Sequence, residues 1–184
     1  MEKILITGTG RCGTTFLIQL FSFLDYDTGY NKLNYQNYIS KNCNAGMERQ
    51  IYENYTFLKN PIFFEHIAEI AKYDHVKVKC VILPVRKFED SAKSRASIGN
   101  GNGGLWNASN EAEQIRFYDK MMSNYIITML KHDIHTIFLD FDRMVSDPIY
   151  LFKKLSPVLE PRTTLELFCD VYHETTLNLK KNSN

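Results

Sequence analysis

The chain has 184 residues, 22 basic and 21 acidic, with a net charge of +1, which suits one domain with a real hydrophobic core. So even a balance argues against nucleic acid or an anionic membrane as partner. No apolar run approaches the roughly 18 residues of a membrane-spanning helix.

In chain order, residues 3–7 read as a short buried strand. The run Gly8-Thr9-Gly10-Arg11-Cys12-Gly13-Thr14-Thr15 follows as a glycine-rich turn, and a helix extends from Thr14 to about Leu24, with Leu17, Leu20, Phe21 and Leu24 on one face. Strand, glycine turn and helix start together make an anion cradle. Backbone N–H groups converge there, and the helix dipole favours negative charge. The spacing Gly8…Gly13 equals that of a phosphate-binding P-loop, but the Lys that should follow is replaced by Thr14, and the basic residue is Arg11.

Residues 25–55 break the regular pattern and are rich in tyrosine and asparagine: Tyr26, Tyr30, Tyr35, Tyr38, Tyr52 and Tyr55. A short strand at 55–58 precedes a helix start at Asn60-Pro61, with Asn as cap, Pro at the first helical position, and Phe63, Ile67 and Ile70 as the buried stripe. Residues 76–85 give the strongest strand signal, as a central parallel strand should. A helix over 88–98, a glycine-rich loop over 99–104 and a long helix over 110–131 follow. That helix carries Ile115, Tyr118, Met122, Tyr125, Ile126 and Met129 on one side. Thr136–Phe141 reads as a strand leading into a short acidic turn. Asp147-Pro148 caps the next helix, residues 163–172 form the last, and 180–184 read as a frayed tail.

Strands alternating with helices make the class α/β. The expectation is one domain over 1–184: a three-layer parallel sheet of about four to five strands flanked by helices, of the P-loop-containing nucleotide-binding type. Ligands in such sheets lie at the carboxyl ends of the strands, which puts the glycine turn, Lys59 and Arg86 on one rim. Cys12, Cys43, Cys80 and Cys169 are scattered without a C-x-x-C pair. Neither zinc nor a disulfide framework is indicated, and with no signal-peptide pattern the expected location is cytoplasmic.

Arg86 ends the central strand and Ser94 lies eight residues on, so both side chains can face the rim and share an anion. In a nucleotide hydrolase or kinase, Asp140 or Asp142 could instead hold magnesium, as a Walker-B acid does. As plain loop acids they would cap a helix.

Together these segments resemble the sulfotransferases that use 3′-phosphoadenosine 5′-phosphosulfate (PAPS). The 5′-phosphosulfate loop of that family is similar to Gly10-Arg11-Cys12-Gly13-Thr14-Thr15. Its 3′-phosphate motif, an Arg at a strand end with a Ser eight positions later, is matched by Arg86 and Ser94. Leu58-Lys59-Asn60-Pro61 and Phe141–Pro148 resemble two further family segments. The Asn-Pro that often follows the Arg is Lys87-Phe88 here.

The resemblance implies sulfuryl transfer from PAPS to a hydroxyl or amine of a small-molecule or saccharide acceptor, with 3′,5′-ADP as product and no metal required. Gly10, Arg11, Cys12, Gly13, Thr14 and Thr15 would hold the 5′-phosphosulfate, Arg86 and Ser94 the 3′-phosphate. Arg11 and Lys59 would act on the moving group. The family's histidine base is absent, since Pro61 stands in its place, so Glu65, His66 or Glu53 are the candidates. Cys12, at a helix N-terminus, is either a thiol of lowered pKa or a small residue filling the usual Ser position. The acceptor is expected at insertions 25–55 and 99–107, the latter with Trp106. The chain is short for the family, which leaves the pocket open or completed by a second copy in a homodimer. A nucleotide-binding protein without catalytic activity stands as a further alternative.

Overall fold

The computed structural model of the chain describes residues 2–40, 45–98 and 103–181. Four strands, β1 (Glu2–Ile6), β2 (Phe57–Lys59), β3 (Lys77–Val85) and β4 (Thr136–Asp140), form one parallel sheet in the order β2-β1-β3-β4. The helices are α1 (Thr14–Phe23), α2 (Ile62–Glu65), α3 (Ile67–Ile70), α4 (Phe88–Ala96), α5 (Glu111–His132), α6 (Phe141–Ser146), α7 (Pro148–Leu155) and α8 (Leu165–Lys181). None is long and apolar enough to cross a membrane.

The two-residue period of the strands divides the core between the two sheet faces. Ile4, Ile6, Cys80, Ile82, Ile137 and Leu139 turn to one face and pack with α1, α7 and α8. Leu5, Leu58, Val81 and Leu83 turn to the other, under α2, α3 and α5. With both faces covered, the strands read as nearly continuous apolar runs, and the architecture is the expected three-layer α/β.

The strand order positions the site. From β1 the chain passes through α1 on one face, and from β3 through α4 and α5 on the other. The adjacent carboxyl ends of β1 and β3 therefore feed loops that part in opposite directions. That is a topological switch point, where open α/β sheets leave a crevice.

Several elements depart from the sequence reading. The helix after Asn60-Pro61 is two single turns, α2 and α3, broken at His66 (φ −101°, ψ 18°), although Phe63, Ile67 and Ile70 are all buried as expected. The acidic turn after β4 is the helix α6. Asp140 caps it, its Oδ1 accepting from the Arg143 N–H at 2.8 Å. The buried face of α5 runs through Gln114, Tyr118, Met121, Tyr125 and Met129, while Ile126 is exposed. The last helix continues nine residues past 172, to Lys181. Its Thr175 and Thr176 hydroxyls are satisfied by the carbonyls four residues back, at 2.8 and 2.9 Å.

The tyrosine-rich segment is mainly structural. Tyr26, Tyr30 and Tyr35 are buried in the core beside α1. Tyr55 and Tyr30 sandwich the Arg49 guanidinium, at 4.6 and 4.1 Å. Residues 41–44 of that segment, 99–102 of the glycine-rich loop and 182–184 of the tail lie outside the described residues.

Candidate functional site

The glycine turn is built by backbone conformation. Gly10 and Gly13 have φ of +75° and +84°, a region that costs a residue with a Cβ about 1 kcal/mol or more. Arg11 adopts φ +57° despite that cost, the kind of local strain that collects at functional sites. Gly13 is the N-cap of α1 and brings no capping side chain, and the first turn of α1 carries no acidic residue. The positive end of the helix is thus left for a ligand.

Side chains from distant parts of the chain meet at this turn. Arg11 Nε donates to Ser94 Oγ at 3.1 Å. Arg86 Nη1 donates to the Arg11 carbonyl at 3.1 Å, and its guanidinium lies 4.8 Å from the Phe141 ring centroid. The predicted groups at Arg11, Arg86 and Ser94 are therefore brought together directly. Arg11 and Arg86 line one cavity of about 830 Å³ that also takes in Gly10, Gly13, Thr14 and Thr15, while Ser94 stands behind Arg11 and is not part of the wall. Arg11, Lys59, Arg86 and Arg95 line it against one carboxylate, Glu48: four cations less one anion, a local excess of +3 in a chain of net charge +1. A cleft with this field draws anions.

No family model, curated protein or solved structure matches this chain.

Not every expected site residue faces the cavity. Cys12 is fully buried, and a Cβ on Gly8 would stand 2.8 Å from its Sγ, so the thiol packs beneath the turn. Burial pushes its pKa up, outweighing the hydrogen bonds from Gly10 and Thr9 that act the other way. The small-residue reading of Cys12 therefore replaces the lowered-pKa one. Native protein treated with iodoacetamide at pH 8 is expected to leave Cys12 and Cys80 unmodified until it is unfolded. Peptide mass spectrometry would reveal fast native labelling of Cys12 if its thiol were activated.

Lys59 comes from the end of β2 as expected, but its ammonium is 1% exposed and engaged, donating to the Gly46 carbonyl at 2.8 Å and pairing with Glu48. Thr7 at the end of β1 holds this strand end in place, its hydroxyl 2.8 and 3.2 Å from the carbonyls of Asn60 and Pro61. Glu65 accepts from Asn107 Nδ2 at 3.3 Å, His66 stands 3.5 Å from Glu69, and Glu53 pairs with Arg49. None of the three lines the cavity. Asp140, spent on the cap, does not line it either, nor does Asp142.

Two charged lining residues were not singled out in the sequence reading: Glu48, within the expected acceptor segment 25–55, and Arg95. Glu48 is carried to the cavity by a short extended stretch. The Arg49 N–H donates to the Lys59 carbonyl at 2.9 Å, the Met47 N–H to the Tyr38 carbonyl at 2.9 Å, and Ile39 bridges Gly46. This stretch also brings Asn37, Tyr38 and Ser40 to the wall. Arg95, the other, is the neighbour of Ser94. The only signal for either was local: an acid eleven residues before Lys59, and a second base beside the Ser of the Arg…Ser spacing. Trp106, expected at an acceptor site, packs instead against Phe117 and Arg95, while Gly103 of the same segment lines the cavity.

Proposed function

We propose that the chain is a PAPS-dependent sulfotransferase of P-loop-like fold, acting on a hydroxyl or amine of a small molecule or saccharide. The observation that carries this reading is the junction of Arg11, Ser94 and Arg86. The glycine turn and Arg86 line one cationic cavity, and Ser94, 83 residues from Arg11 in the chain, holds the Arg11 guanidinium beside it. A donor with a phosphosulfate at one end and a 3′-phosphate on its ribose needs both.

The turn N–H groups and the Thr14 and Thr15 hydroxyls would take the phosphosulfate, with Arg11 supplying charge where the leaving phosphate becomes more negative. Arg86 and Ser94 would take the 3′-phosphate. Phe141, beneath the Arg86 guanidinium, keeps that side chain in place. In the transfer the bond from sulfur to the 5′-phosphate oxygen breaks, and a bond from sulfur to the acceptor oxygen or nitrogen forms. The acceptor proton passes to the Glu48 carboxylate, and 3′,5′-ADP leaves. Glu48 fits the base better than Glu53, Glu65 or His66 because it alone of the four lines the cavity. The wall it shares with Asn37, Tyr38 and Ser40 has the polar and aromatic groups a saccharide or phenol would contact.

Thermal unfolding tests the donor assignment. Without metal, 3′,5′-ADP at a hundredfold excess over its Kd is expected to raise Tm by about 5–10 °C. A larger shift from ATP with magnesium would favour a kinase and overturn the reading.

A further inference from the structure

Of the two buried cations at the cavity, Lys59 pairs with Glu48, and the transfer proposed above leaves the other, Arg95, without a task. Arg95, on α4, is 7% exposed yet borders the cavity. Burying a guanidinium is costly unless an acid answers its charge. Among the described residues no ion pair includes Arg95. Its partners are neutral: Nε and Nη2 donate to Thr9 O at 3.3 and 3.1 Å, Nη1 donates to Gly104 O, and the buried Tyr118 hydroxyl lies beside it.

Two neighbours show how tightly it is fitted. On one side is Gly10, where an added Cβ would stand 2.0 Å from Nη2. On the other is the Trp106 ring, whose centroid is 5.3 Å from the guanidinium carbon. Trp106 is fixed in turn by Gln114 of α5, a polar residue with no exposure. The Trp106 N–H donates to Gln114 Oε1 at 2.6 Å, and Gln114 Nε2 donates to the Trp106 carbonyl at 3.1 Å. A continuous strut thus runs from α5 through Trp106 and Arg95 to the glycine turn.

We infer that Arg95 is a positioning residue: it fixes the glycine turn in its anion-receiving shape and couples that turn to Trp106. Two donors on one carbonyl oxygen set the plane of the Thr9–Gly10 peptide, and with it the direction of the Gly10 N–H. The unanswered charge also adds to the field that an anion in the turn experiences. A sulfate- or phosphate-like group in the turn therefore changes the surroundings of the Trp106 ring through the guanidinium. The inference rests on the glycine turn holding an anion, as the proposed function requires, but not on PAPS being the donor.

Trp106 is the one tryptophan of the chain and reports its own surroundings. Titration of the full chain with sulfate, with pyrophosphate and with 3′,5′-ADP, against sodium chloride at matched ionic strength, is expected to change its emission saturably. Arg95→Lys keeps the charge but loses the fork. It should weaken pyrophosphate binding by about tenfold or more, by calorimetry, and abolish the emission change. Its far-UV circular dichroism and cooperative melting should match the parent, which a merely structural role would not allow. If that variant does not fold, Trp106→Leu leaves the guanidinium in place and should weaken pyrophosphate about threefold.

Wild-type pyrophosphate affinity in a folded variant, or Trp106 emission blind to a bound anion, overturns the inference. A chain that binds pyrophosphate with the emission change but ignores 3′,5′-ADP retains it and loses only the donor assignment. A chain that binds none of the three anions loses both.

Discussion

Replacing Arg86 by Ala is expected to weaken 3′,5′-ADP about a hundredfold and 5′-AMP far less, so that the preference for a 3′-phosphate all but disappears. The size follows from what the guanidinium does at a half-buried strand end. A charge-assisted hydrogen bond to a phosphate contributes about 1.5–3 kcal/mol, and a forked one more, against about 1.4 kcal/mol for each tenfold in affinity. Some loss for 5′-AMP is built into the geometry. Arg86 also holds the Arg11 carbonyl at 3.1 Å, so the turn itself relaxes when the side chain goes. The informative quantity is therefore the ratio of the two losses, measured by calorimetry on the same preparation. Equal losses would mean that Arg86 only braces the turn, and the 3′-phosphate assignment would fall. Ser94→Ala should move the ratio in the same direction by a smaller amount, because Arg11 Nε occupies the same hydroxyl.

What could be read from the sequence is what local chemistry decides. The strand, turn and helix over 2–23 follow from an apolar run, three glycines and a helical stripe within one stretch of chain, and they are found there. The central strand β3 declares itself by Val81-Ile82-Leu83 because both faces of a middle parallel strand are buried. That the glycine turn and Arg86 share one rim followed from placing loops at the carboxyl ends of adjacent strands, whereas the direct contacts of Arg11 with Ser94 and Arg86 did not. The shared rim needed topology but no long-range detail.

The rest depended on tertiary contacts. Asp140 could be read as a magnesium ligand or as a cap, and only the six-residue helix behind it decides for the cap. Arg95 on an isolated helix would be a solvated base. It is buried here because Thr9 and Gly104 offer it carbonyls from two other segments. Gln114 upsets the apolar stripe of α5 for the same reason: its amide is matched to the Trp106 backbone, not to the hydrophobic period. Glu48 lies in an irregular, tyrosine-rich segment where no periodicity marks a face, and its partner Lys59 sits on a different element.

Glu48 is also where the chemistry can be separated from the binding. Glu48→Gln is expected to lower the rate of 3′,5′-ADP release from PAPS, with a panel of hydroxyl and amine acceptors present, by about a hundredfold or more, the usual worth of a positioned general base. The affinity for 3′,5′-ADP should change by less than about threefold, since the carboxylate belongs to the acceptor wall and not to the arginine cluster. The amide keeps the volume and can still accept from Lys59. The ammonium, 1% exposed, loses only the charge of its partner. Some stability is lost with that charge, and Tm should fall by a few degrees, less than for a fully enclosed pair, because the Glu48 side chain is 40% exposed. Lys59→Met supplies the complementary result. It removes the ammonium that holds the carboxylate in the wall, so turnover with the acceptor panel should fall while the affinity for 3′,5′-ADP changes by less than about threefold. An unchanged rate in Glu48→Gln, with nucleotide binding intact, would remove Glu48 as the proton acceptor while leaving the donor site standing.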